Sequence, residues 1–180
     1  MTRAKTMQDP KLAARKLLAE LNIAECPVAV DYIAQKKGIT VRYVPLDADL
    51  SGMIFMKDAV IIVVNSLHHV NRQRFTLAHE LGHFELHMKE IGTEVHVDKK
   101  FLAFARDANS SLGWDRKEVE ANRFASELLV PDRMLNHELS DRLVDAEDEG
   151  LIANLAERFQ VSRQMMTFRI GDLVESRFRS

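Results

Sequence analysis

The chain has 180 residues, enough for one domain with at most a small appendage. Hydrophobic residues make up 46% and charged residues 29%, which excludes disorder, and 25 Lys and Arg against 27 Asp and Glu exclude a global basic field for nucleic acid. A single cysteine, Cys26, rules out an internal disulfide framework or a cysteine-built zinc site, and the longest apolar run, 59–64, is far short of the roughly 20 residues of a membrane helix.

Residues 1–10 are polar, with no apolar signal segment, so the expected compartment is a reducing cytoplasm. From 10 to 21, Leu12, Leu17, Leu18 and Leu21 recur at helical spacing and predict an amphipathic helix. Pro27 opens a second short helix that Gly38 stops. Residues 39–44 alternate and are rich in β-branched side chains, which predicts a strand ended by Pro45. Residues 52–56 and 60–64 read as an antiparallel hairpin whose exposed edge another chain can pair with. Asn65 or Ser66 is the expected cap of a long helix reaching Met88. A helical turn over 97–105 and a loop at 109–111 are the expectation for the next stretch. A clear helix over 115–129 follows, closed by Pro131, then an acidic connection and two short helices over 151–159 and 162–176.

Within the long helix, His79-Glu80-Leu81-Gly82-His83 is an HExxH pattern that chance would produce in about one in fifty chains of this composition. Two histidines four apart share a helix face with Cβ atoms about 5–6 Å apart, so both imidazoles can reach one metal ion. Glu80 lies at the side of that stripe, placed to act as a general base on an activated water. Phe75, Leu77, Ala78, Leu81, Phe84 and Leu86 bury the helix, and histidines on a buried helix need partners. A catalytic zinc takes three protein ligands. Leu86 and Lys89 stand where a third histidine of the extended HExxH motif would require Gly and His, so a glutamate from another helix is the remaining route. In the 115–129 helix, Glu118 shares a face with the small residues Ala121 and Ala125 and with Asn122, which is placed to orient a ligand by hydrogen bonding. Glu120 projects with Arg116, Arg123 and Glu127 in what reads as a solvated ion-pair stripe, so Glu118 is favoured and Glu120 stays the alternative.

Residues 72–83, RQRFTLAHELGH, followed by 118–131, EVEANRFASELLVP, resemble the ImmA/IrrE family of HExxH zinc metallopeptidases; the Ser51-Gly52 hairpin and Asn65 fit the same pattern, so the likeness spans roughly 10–135. The resemblance implies Zn2+ bound by His79, His83 and Glu118, with Glu80 as catalytic base. It also implies a cytoplasmic endopeptidase that cuts helix-turn-helix repressors, relieving repression of phage, mobile-element or stress genes. The expected architecture is α+β and zincin-like: a small antiparallel sheet packed on an HExxH helix and a glutamate helix, with C-terminal helices. The expected organisation is a metallopeptidase domain over 1–137, an acidic connection over 138–150 and a helical extension over 151–180 packed on the same domain.

His87 continues the histidine stripe but lies about 12 Å from His79 along the axis, too far to share one ion. His68, His69, His96 and Tyr43 are candidates to stabilise an oxyanion, and the sequence does not choose among them. Cys26 reads as a small buried apolar group. Residues 151–176 resemble a helix-turn-helix, but five arginines against three acids over 151–180 is weak for phosphate binding, so packing onto the catalytic domain is preferred. Two rival readings are a non-proteolytic toxin-antitoxin or repressor-associated protein, and a DNA-binding regulator using 151–176.

Overall fold

In the computed structural model, residues 9–56, 59–91, 95–98, 113–139 and 148–178 are described. Helix α1 (Pro10–Glu20) starts where Asp9 accepts a hydrogen bond from the Lys11 N–H, with Pro10 pre-set in the first turn. Its Ala13, Ala14, Leu17 and Leu18 are buried. Helix α2 (Val30–Lys36) ends at Gly38, whose φ of +72° is the left-handed conformation that reverses the chain into β1 (Thr40–Val44). Strands β2 (Gly52–Met56) and β3 (Val60–Asn65) form the expected hairpin.

The sheet is mixed, which departs from the wholly antiparallel expectation. Its order is β1-β3-β2-β4, with β1 parallel to β3 and β4 (Val95–Asp98) antiparallel to β2. The 45–51 connection passes over β3 so that β3 inserts between β1 and β2, which makes β1 and β3 run the same way. Both edges of the hairpin are therefore covered, and among the described residues the open edges belong to β1 and β4. Val97 and Asp98 are strand residues here, so no helix begins at 97; 99–112, including the predicted 109–111 loop, lie outside the described residues.

Asn65 does not cap the long helix. It is buried at the end of β3, where its amide donates to the carbonyls of Leu46, Asp47 and Leu50 and its oxygen accepts from the N–H groups of Leu46 and Leu67. A crossing loop has no strand partner for these groups, and one buried amide satisfies them. Helix α3 (Val70–Ile91) instead begins after His69, whose Nδ1 accepts from the Asn71 N–H.

Helix α4 (Gly113–Leu129) crosses α3 closely. A methyl group on Gly82 would lie 3.0 Å from the Cα of Ala121, 3.1 Å from its carbonyl oxygen and 3.2 Å from the Phe124 ring, so the α4 backbone meets α3 where α3 has no side chain. The sequence reading missed helix α5 (Asp132–Leu139), which buries Leu135 and Leu139, although the Pro131-Asp132 start and the apolar spacing of Leu135 and Leu139 signal it. Residues 138–139 thus belong to a helix rather than to the acidic connection, and 140–147 lie outside the described residues. Helices α6 (Glu149–Phe159) and α7 (Arg163–Phe178) bury Leu155, Phe159, Met166 and Ile170 in the same hydrophobic core as α1, β2, β3 and α3. Asn71 and Arg74 of α3 donate to the carbonyls of Val161 and Gln160, tying the α6–α7 turn to the long helix.

Glu127 is not part of a solvated stripe. It is fully buried, paired with Arg15 at 2.8 Å and with the buried Arg169 at 2.8 Å, and it accepts from the Asp132 N–H. Arg169 also donates to the Val130 carbonyl and to Asp132, so the Val130–Asp132 corner, α1 and α7 converge on one carboxylate. Removing one partner of a buried pair leaves an uncompensated charge, costing about 3–5 kcal/mol. Glu127→Ala is therefore expected to lower the unfolding free energy by that amount, read as a lower urea midpoint at an unchanged slope of the transition. A loss below about 1 kcal/mol would show that the network does not hold the corner.

Candidate metal centre

Helix α3 presents two faces to two different neighbours. Thr76 and Glu80, one turn apart, lie against the start of β2: a methyl on Gly52 would lie 2.5 Å from Thr76 Cγ2 and 3.7 Å from Glu80 Oε1. Only a residue without Cβ allows this approach. The same junction is braced by Arg72, which donates to Ser51 Oγ at 2.9 Å, and by the Asn65 amide that holds the preceding loop. Glu80 is completely buried at this helix–sheet seam.

The other face carries His79 and His83 towards α4. Their Nε2 atoms are 2.9 Å apart. Glu118 lies across from them, Oε2 3.2 Å from His79 Nε2 and Oε1 3.2 Å from His83 Nε2. Both histidines are buried, whereas the Glu118 side chain keeps 26% exposure, so the cluster opens to solvent on the α4 side. His79 Nδ1 faces Asn122 Oδ1 at 2.8 Å. An amide oxygen only accepts, so Nδ1 carries the proton and the Nε2 lone pair points into the cluster.

The three side chains offer one ligand atom each, all within 4.8 Å of one another. Two imidazole nitrogens and a carboxylate oxygen are the donor set of a His2Glu zinc site. A tetrahedral ion with bonds of about 2.0–2.1 Å needs ligand atoms about 3.3 Å apart, within a few tenths of an ångström of the spacings here. Acceptor lone pairs converging in a buried place favour a cation at their centre, and the residues present fit one.

The two glutamates of α4 stand in different surroundings. Glu120 lies away from His79 and His83; it accepts from Arg116 at 2.9 Å and stands 3.7 Å from His87 Nε2. His87 is buried beside the Lys117 carbonyl at 3.3 Å, outside the three-residue cluster. Of the oxyanion candidates, Tyr43 donates to Asp31 at 2.7 Å, and burial together with that carboxylate pushes its hydroxyl well above the ordinary tyrosine range. It is thus committed to the α2–β1 side. His69 caps α3, the His68 carbonyl accepts from Gln73, and the backbone of His96, on β4, pairs with Ile54 of β2. Cys26 is half-buried against the core. What the sequence reading missed was the part played by Gly52, Ser51 and Thr76 around Glu80. A glycine opening a strand was the available signal, since it marks a close backbone approach.

With this geometry in place, comparison with known proteins is informative. Residues 34–171 match the family model described as the IrrE N-terminal-like domain, a peptidase family. The chain is 35% identical over 82 residues to Metallopeptidase ImmA of Bacillus subtilis (strain 168), a match covering 46% of this chain and 41% of that protein. Its fold is similar to a Mycobacterium tuberculosis transcriptional regulator with a TM-score of 0.57 at 18% identity, over 88% of this chain and 45% of the other. The chain thus spans less than half the length of either relative. Among the described residues no helix is long and apolar enough to cross a membrane. Because the family match runs from α2 into α7 and takes in both metal-facing helices, the chain belongs to the IrrE N-terminal-like domain family of peptidases.

Proposed function

We propose that this chain is a zinc-dependent endopeptidase acting in the cytoplasm on a regulatory protein, a helix-turn-helix repressor, so that cleavage relieves repression. The observation that carries the reading is the convergence of His79, His83 and Glu118 one residue from a fully buried Glu80. Zn2+, when bound, supplies Lewis acidity, polarising a carbonyl and easing deprotonation of water. His79 and His83 hold it from α3 and Glu118 from α4. Asn122 keeps the His79 lone pair aimed inwards by accepting the opposite N–H. Glu80 takes the proton from the attacking water and passes it to the leaving amine. An extended substrate adds along β4, the open edge beside β2, in place of the hairpin edge that β4 covers. The repressor as substrate is supported by the resemblance in the two motif segments and by the near-neutral C-terminal helices.

Protein purified without added metal is expected to carry one zinc per chain by elemental analysis, and His83→Ala is expected to lose it. Glu118→Gln should also lose zinc, while Glu120→Gln should retain it, because an exposed ion pair contributes only about 0–1 kcal/mol. The reverse order would give the ligand role to Glu120.

Glu80→Gln preserves size and hydrogen bonding but cannot accept the proton. Zinc content should be unchanged and peptide cleavage should fall about 10²–10⁴-fold. Full activity in that variant would remove Glu80 from the mechanism.

The substrate is tested by incubating the repressor encoded nearest this gene with wild-type and Glu80→Gln protein and zinc. A single discrete cut by the wild type alone is expected. An intact repressor, together with DNA binding by this chain that falls steeply with salt, would favour the DNA-binding regulator instead.

A further inference from the structure

Two adjoining cavities lie on the face built by the α1–α2 connection, α5 and α6. The larger, about 730 Å3, has mixed walls that include Asn136, His137 and Arg158. The smaller, about 270 Å3, has apolar walls from Leu18, Ile23 and Pro131. Arg133 and Met134 line both.

The charges around these cavities are mostly committed. Arg158 pairs with Glu138 at 2.9 Å, and Arg15 and Glu127, which border the smaller recess, pair with each other at 2.8 Å. Arg133 differs: among the described residues it forms no ion pair, and it lines both the apolar recess and the larger cavity. The acidic Glu25 borders the larger cavity and not the smaller one. A planar guanidinium with free donors recognises a carboxylate in a two-pronged contact. A recess of about 270 Å3 holds roughly nine water-sized groups, and its walls favour methyl and methylene groups over water.

We propose that the smaller recess and Arg133 form a binding site for an organic carboxylate carried on a short branched apolar body. That chemistry is shared by a free branched-chain acid and by the leucine-like C-terminal residue of a peptide. Glu127, in the wall of the recess, is about 14 Å along α4 from Glu118, so the site is separate from the metal cluster and its occupancy is measurable without hydrolysis.

Met134 is the reporter, because its methyl group belongs to the side chain that lines both cavities. Methionine-methyl NMR of the full chain, with the Met134 signal identified through Met134→Leu, follows titration by 4-methylpentanoate and by N-acetyl-leucine. The buried Met165 and Met166 serve as controls. At least one acid is expected to shift Met134 saturably, with the lower midpoint assigning the free-acid or peptide source. Arg133 is exposed, so Arg133→Ala should leave the fold intact while raising the midpoint about tenfold or more, with partial recovery in Arg133→Lys. No shift by either acid up to about 10 mM would overturn the site, since even a weak contact of about −4 kcal/mol saturates there. So would equal titration by N-acetyl-leucinamide or by acetate, or an unchanged midpoint in Arg133→Ala.

Discussion

Helices α3 and α4 touch backbone to backbone where Gly82 faces Ala121, and the candidate metal cluster depends on that contact. A glycine inside a helix costs roughly 1 kcal/mol relative to alanine, and here it admits the Cα and carbonyl of the neighbouring helix to within 3.1 Å of where a side chain would begin. Within one turn of Gly82 on α3 and of Ala121 on α4 lie the residues that meet across the gap. His79 reaches Asn122, and His79 and His83 reach Glu118. A bulkier residue at 82 would push α4 outwards and open all three contacts together, because a rigid helix moves as a unit.

The adjoining face of α3 is set by the sheet. Asn65 satisfies the polar groups of the crossing loop, the loop delivers Ser51 and Gly52, and Gly52 leaves space for Thr76 and Glu80. The helix is therefore held between a glycine contact on α4 and a glycine contact on β2. The two histidines turn towards α4 and the buried Glu80 carboxylate towards β2, on adjoining stripes of one helix.

Farther along α4, Glu127 gathers Arg15, Arg169 and the Asp132 backbone. The buried charge network binds the end of the glutamate helix to the first and last helices of the chain. The same corner borders the recess beside Arg133, so α4 links the metal-facing cluster to a second, chemically different concavity.

Much of this was legible from the residues alone. Local signals are short-ranged: helical periodicity, the Asp9-Pro10 start, the β-branched run before Pro45 and the HExxH spacing each depend on neighbours within a turn or a strand. They placed most of the helices and strands and put the two histidines on one helix, and the small residues sharing a face with Glu118 marked the side of α4 that meets α3. Strand order was not accessible, because a seven-residue connection allows β1 to lie beside β2 or to skip past it, and only the insertion of β3 decides. Asn65 caps a helix or clamps a loop with the same side chain; which groups stand near it is a matter of tertiary placement. Glu127 reads as one more charge on a polar stripe until Arg169, 42 residues later in the chain, arrives to pair with it. Partners that meet only after folding leave no periodic trace in sequence, and the ionic corner, the edge strand β4 and the recess at Arg133 were therefore decided by the packing of the whole chain.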